Sequence, residues 1–288
     1  MSARLLLTLL AVAASLGVMS AGEISNCASS GTYTDGSQYE KNLAELLAKL
    51  SSAAAAGNGS FHSGSVGSAA PDQAWGLAMC YADCNATRCQ DCLREVASIG
   101  GLTELCPDAA HSRNVSFSDS DACLLRYADA PFLGSADTDD RWQSSSGFDV
   151  DVADMASMNT TRWRLLSQLA ERAAGHDQPQ RLAYGSLEYT DARNGSQMVV
   201  YGLAQCTGDL EPSECTSCLM YRLALVSSGN HTGATRASIW GFSCYLRYQV
   251  NDPIVVIGSP APPPQPAATP SGSGLHLLRS APRAAKLR

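Results

Sequence analysis

The spacing of apolar residues marks four helical stretches before any other feature of the chain is needed. Leu43, Leu46, Leu47 and Leu50 recur at i, i+3, i+4 and i+7, the rhythm of a helix with one buried face. Trp163, Leu166, Leu169, Ala170 and Ala173 follow much the same rhythm in the second half. Two further helices are predicted downstream, one burying Leu93, Val96 and Ala97 and the other Leu219, Leu223 and Val226. Strands account for the rest. Leu187 to Thr190 and Gln197 to Ala204 flank an Asn194-Gly195 turn as a hairpin, and Ile239 to Tyr248 alternates loosely. This pattern predicts an α+β fold in two tandem domains, each an antiparallel sheet packed with two helices.

The halves are copies of one another. Cys80, Cys89 and Cys92 form C-x8-C-x2-C, and Cys206, Cys215 and Cys218 repeat it, each shifted by 126 positions. Trp75-Gly76-Leu77-Ala78-Met79-Cys80 matches Tyr201-Gly202-Leu203-Ala204-Gln205-Cys206, and Cys123-Leu124-Leu125-Arg126-Tyr127 matches Cys244-Tyr245-Leu246-Arg247-Tyr248. At the N-terminus, Arg4, the apolar run Leu5 to Val18 and the small residues Ser20 to Gly22 read as a secretory signal peptide. That run is too short to cross a hydrocarbon layer of about 30 Å, so no membrane span is expected in the mature chain. The expected division is a signal peptide (1–22), a first domain (23–134), a second domain (135–253) and a Pro/Ala/Ser-rich disordered tail (254–288). The segment from Ser135 to Asp154 holds Asp137, Asp139, Asp140, Asp149, Asp151 and Asp154. It lacks the glycine and closing glutamate of a calcium loop and reads as a solvated linker at the domain boundary.

Eleven cysteines behind a signal peptide point to disulfides rather than to zinc or a redox centre, because each C-x2-C lacks nearby histidines and follows no βαβ unit. Relative to the first copy, the second lacks Cys27, Cys84 and Cys106. Bonded cysteines tend to be lost together, so the joint absence suggests a Cys27–Cys106 link. The four positions shared by both copies still allow three connectivities. One thiol is left over, and Cys84, which interrupts the x8 spacer, is the candidate, shielded by a glycan on the neighbouring Asn85.

Composition narrows the function. A net charge of −7 without a basic cluster in the body of the chain argues against a nucleic-acid partner. Six of the nine asparagines (Asn58, Asn85, Asn114, Asn159, Asn194 and Asn230) stand in N-x-S/T sequons and are expected to carry glycans on surface loops. The five histidines are scattered outside any nucleophile or metal motif, so neither catalysis nor a cofactor is expected. Arg126 and Arg247 recur beside a cysteine in both copies and read as partners in stabilising ion pairs.

These residues resemble the plant stress-antifungal domain, also called the ginkbilobin-homologous domain, marked by C-x8-C-x2-C and a later C-x-x-R-Y. Two such domains behind a signal peptide resemble a plant cysteine-rich repeat secretory protein, and the same tandem forms the ectodomain of cysteine-rich receptor-like kinases. The resemblance implies a five-stranded antiparallel sheet with two helices per domain. It also implies the disulfides Cys27–Cys106, Cys80–Cys89, Cys92–Cys123, Cys206–Cys215 and Cys218–Cys244. The family's mannose site uses an Asn directly after the first Cys, an Arg shortly before the last Cys, and a Glu five residues after it. Here Ala28 and Ala128 stand at the first and third of those places, and Arg113 lies farther upstream. In the second copy Arg236 is displaced and Gln249 replaces the Glu, so no carbohydrate-binding residue is assigned. The resemblance implies a secreted, non-catalytic apoplastic binding protein of plant stress or defence, with carbohydrate or a cell-surface receptor ectodomain as partner. The alternative is a protein-interaction module that engages receptor-like kinase ectodomains without a sugar site.

Overall fold

The structure, a computed structural model, describes residues 23–27, 31–54, 61–107, 111–119, 122–139, 144–149, 154–178, 180–228 and 233–256. The expected signal peptide, Ala28, Asn58, Asn230 and the tail from residue 257 lie outside them.

The first half runs β1 (Glu23–Cys27), α1 (Gln38–Ala54), β2 (Phe61–Val66), β3 (Ala74–Cys80), α2 (Ala86–Val96), α3 (Ile99–Leu105), β4 (Val115–Asp119) and β5 (Cys123–Ala128). The second runs β6 (Ser144–Asp149), α4 (Met155–Ala173), β7 (Leu182–Thr190), β8 (Gln197–Cys206), α5 (Pro212–Ser228), β9 (Ala234–Trp240) and β10 (Cys244–Val250). Each half forms a five-stranded sheet, ordered β1-β4-β5-β3-β2 and β6-β9-β10-β8-β7. Every neighbouring pair is antiparallel. The same topology is therefore laid down twice.

Helix α1 buries Tyr39, Leu43, Leu46, Leu47, Leu50 and Ala54 against its sheet. Helix α4 buries Met158, Arg162, Leu165, Leu166, Leu169, Ala170 and Ala173. Every buried α1 position recurs in α4, which adds Ala170, and Arg162 stands where α1 has Leu43. Trp163, expected on the buried face, is instead 42% exposed. A charged residue took its place because the Arg162 guanidinium finds a buried partner. Its Nη1 donates to Tyr248 Oη at 2.8 Å, and its Cζ lies 4.9 Å from the centre of the Tyr248 ring.

Four other expectations are corrected. The stretch Ile239 to Tyr248 is two strands, β9 and β10, joined at Gly241. Glycine suits that turn because a Cβ would run into the guanidinium of the fully buried Arg222. The expected linker contributes β6, the edge strand beside β9, whose Ser-Ser-Ser-Gly sequence shows no apolar alternation. Ile254 and Val256, placed in the tail, are buried in the core. Finally, the first half adds a short third helix, α3, where the second half has the unbroken α5. Ser98 ends the preceding turn and caps α3 by accepting from Gly101 N at 3.0 Å.

Asp154 caps α4 in the same manner. Its Oδ1 accepts from Ser157 N at 3.0 Å and its Oδ2 from Ala192 N at 2.9 Å, tying the helix start to the β7–β8 loop. The bonds from Ser157 and then Ala192 hold this carboxyl at about 2. An unfolded aspartate titrates near 3.9, so the stabilisation is present above that value and is lost as pH falls through about 2. Asp154→Ala is expected to melt lower than the natural chain near neutral pH. The gap should close between about pH 4 and pH 2 in melts followed by circular dichroism. A gap unchanged down to pH 2 would rule out this role for the carboxylate.

The sheets face one another with the helices outside. Residues 201, 203 and 205 of β8 and 245, 247 and 249 of β10 share the face turned toward the first half, while the alternate positions turn toward α4 and α5. A single buried cluster consequently includes Leu77, Met79 and Leu124 of the first half together with Leu203, Trp240 and Tyr245 of the second.

Candidate functional site

Four kinds of feature compete for a functional role: the cysteines, the repeated arginines, the positions of the family's sugar site, and a cleft. The structure pairs Cys27 with Cys106, Cys80 with Cys89 and Cys92 with Cys123, then Cys206 with Cys215 and Cys218 with Cys244. Each C-x8-C link fastens the end of a long strand to the helix that follows it. The later cysteine of C-x2-C fastens that same helix to the last strand. Cys27–Cys106 adds a link between β1 and the end of α3. In the second half, Gly147 of β6 occupies the register position of Cys27. Cys84 is outside the disulfides and buried, with its Sγ donating to Asn85 O at 3.2 Å. Its shielding therefore comes from the fold itself.

Arg126 and Arg247 each cross to the other half, Arg126 largely buried and Arg247 partly exposed. Arg247 Nη1 meets Asp83 Oδ2 at 2.6 Å, and Tyr245 Oη donates to the same oxygen at 3.1 Å. Tyr245 also packs on Tyr81, with ring centroids 4.6 Å apart. Burial pushes both phenols far up, so they remain neutral. Arg126 Nη1 donates to Phe242 O at 3.3 Å and Ser243 Oγ at 3.1 Å, its Nη2 stands 3.6 Å from Asp137, and its guanidinium lies over Phe132. The fully buried Gln205 completes the joint, accepting from Ala82 N at 3.0 Å and donating to Cys80 O at 3.3 Å. Backbone amides strap the connecting segment down as well. Gly134 N donates to Asp209 and Ala136 N to Glu214. Asp83 and Asp209 were missed in the sequence, although each stands three residues after the first cysteine of its motif.

Arg113 is held in place. Nη1 donates to Pro71 O at 2.6 Å, Nε donates to Thr32 O at 3.2 Å, Asp129 stands 3.7 Å away, and the guanidinium lies 4.2 Å over the Tyr39 ring. Ala128 is buried and brings no carboxylate. In the second half, Arg236 and Gln249 are directly opposed on β9 and β10, but Gln249 Oε1 accepts from Arg247.

The cleft lies between α2, α3 and β4, with a volume of about 730 Å³. Phe117 and Val96 give it an apolar floor, and Arg88, Glu95, Glu104 and Asp119 give it a charged wall. Asp119 is 5% exposed and meets Arg88 at 3.2 Å. Such a wall suits a ligand that offers cations or hydroxyls around an apolar centre. Among the described residues no group of three or more His, Cys, Asp and Glu could hold a metal ion. No described helix is long and apolar enough to cross a membrane.

The salt stress response/antifungal family profile matches residues 26–130 and again 150–251. The chain belongs to that family. Among its relatives, cysteine-rich repeat secretory protein 38 of Arabidopsis thaliana is 29% identical, over 76% of this chain and 80% of that protein. The antimicrobial ginkbilobin-2-like protein of Castanea crenata is 30% identical, over 78% and 85%. Cysteine-rich receptor-like protein kinase 10 of Oryza sativa is 31% identical, but the chain spans only 33% of its length. The crystal structure of the tandem DUF26 ectodomain of the Arabidopsis thaliana receptor-like protein PDLP8 superposes with a TM-score of 0.57 at 26% identity. That likeness covers 78% of this chain and 96% of that one.

Both halves carry C-x8-C-x2-C and the later C-x-x-R-Y. Of the sequons, Asn85, Asn114 and Asn194 are exposed, whereas Asn159 lies within α4 and is partly covered. Asn85 caps α2 by accepting from Thr87 N at 2.8 Å and stands on the cleft rim.

Proposed function

We propose that the chain is a secreted, non-catalytic extracellular protein of plant stress and defence. It acts in the apoplast by binding a protein partner, a receptor-like ectodomain, without a mannose site. Residues 23–134 and 135–253 are its two domains. The observation that carries this reading is the engagement of Arg113. Two carbonyls, Asp129 and the face of Tyr39 occupy the guanidinium that a sugar would need, and Ala128 itself brings no carboxylate. A sugar would have to displace these contacts before it could reach the guanidinium. A protein partner is served instead by the cleft, whose Glu95 and Glu104 flank an apolar floor. The signal-like N-terminus, the five disulfides and the secretory relative support export.

Calorimetric titration of the mature protein with mannose should give no saturable heat, while a tandem receptor-like ectodomain from the same plant should bind and be weakened by Glu95→Lys with Glu104→Lys. Saturable mannose binding that disappears in Arg113→Ala would overturn the proposal.

A further inference from the structure

Helix α4 presents an outward stripe that its core-facing residues do not explain. Met155, Asn159 and Trp163 succeed one another at i, i+4 and i+8, on neighbouring positions of one face. Met155 and Trp163 are two of the three large apolar side chains exposed among the described residues, at 48% and 42%. Asn159 stands between them and opens the sequon Asn159-Thr160-Thr161. A long helical side chain leans over the turn on its N-terminal side, so the indole of Trp163 covers the ground beside Asn159. A hollow of about 360 Å³ lies there, lined by Asn159, Thr160, Arg162 and Trp163.

We propose that Asn159 carries an N-linked glycan whose innermost N-acetylglucosamine packs on the Trp163 indole. That sugar has an apolar face of axial C–H groups to lay on the ring. Attachment joins the sugar C1 to Asn159 Nδ2 as the C1–O bond to a lipid-diphosphate-linked oligosaccharide breaks. Nδ2 gives up one proton to a base and the diphosphate leaves with the bonding electron pair. Transfer occurs on the unfolded chain during export, so the later burial of Thr161 is no obstacle. The glycan would cover the outer face of α4.

The test uses the full chain secreted from plant cells. Mass spectrometry of the peptide spanning Asn159 should show a hexose and N-acetylhexosamine adduct. Iodide should quench the native glycoprotein little at Trp163, taken as the difference from Trp163→Ala. Removing the glycan with a glycoamidase should abolish that protection. Thr161→Val, which ends the sequon while keeping Asn159 and a β-branched side chain, should lose both the adduct and the protection. An unmodified Asn159 peptide in the secreted chain would overturn the proposal, and so would quenching of Trp163 that is the same before and after glycan removal.

Discussion

Replacing Cys27 and Cys106 together with alanine is expected to lower the stability of the protein by about 4–5 kcal/mol, read from the urea midpoint under non-reducing conditions. The link closes a sequence separation of 79, by far the largest of the five. Chain entropy released in the unfolded state grows with the logarithm of loop length, which gives the figure. The damage should also be local. Cys27 ends β1, an edge strand paired only with β4, so amides of β1 and β4 should exchange faster while those of β6 and β9 do not. The second half already does without this bridge, with glycine at the position of Cys27. A loss below about 1 kcal/mol would mean that the first half has other means of holding β1.

Asp83→Ala is expected to cost about 2–3 kcal/mol and to loosen one half from the other. Asp83 is 5% exposed at its side chain and receives both Arg247 and Tyr245 from the opposite half. Removing it leaves a guanidinium and a phenol without their shared acceptor. The cost of breaking a fully buried pair, roughly 3–5 kcal/mol, is reduced here because Arg247 is 30% exposed and water can reach it. Adding Arg247→Ala should recover part of the loss, since the stranded charge goes with it. A double-mutant cycle measures that coupling, and strictly additive losses would mean the pair contributes nothing across the joint.

The duplicated frame was legible in the sequence because it rests on local rhythm and on cysteine spacing. Leu43, Leu46, Leu47 and Leu50 sit on one buried face, and the two C-x8-C-x2-C motifs stand at the same places in both sheets. Even the joint between halves left a trace. Both β3 and β8 read apolar on both faces, as strands covered from two sides must. Its partners were not legible. Arg247 and Asp83 lie 164 positions apart, and no local pattern links them. Trp163 was misplaced because Arg162, a charged residue, occupies a core position that periodicity assigns to an apolar one. The polar strand β6 gave no alternation, since an edge strand can be held by its backbone bonds alone. Ala28 and Ala128 could be read off the sequence, while the engagement of Arg113 depended on carbonyls at Thr32 and Pro71 that only the fold brings near.

The central claim is that two copies of one disulfide-stapled unit are locked into a single body by arginines that the repeat carries in both halves. Scanning calorimetry of the intact mature protein tests this most directly. The account predicts one transition whose calorimetric and van't Hoff enthalpies agree, and a second transition that emerges only when Asp83 or Arg247 is removed. Two resolved transitions in the natural chain would contradict it.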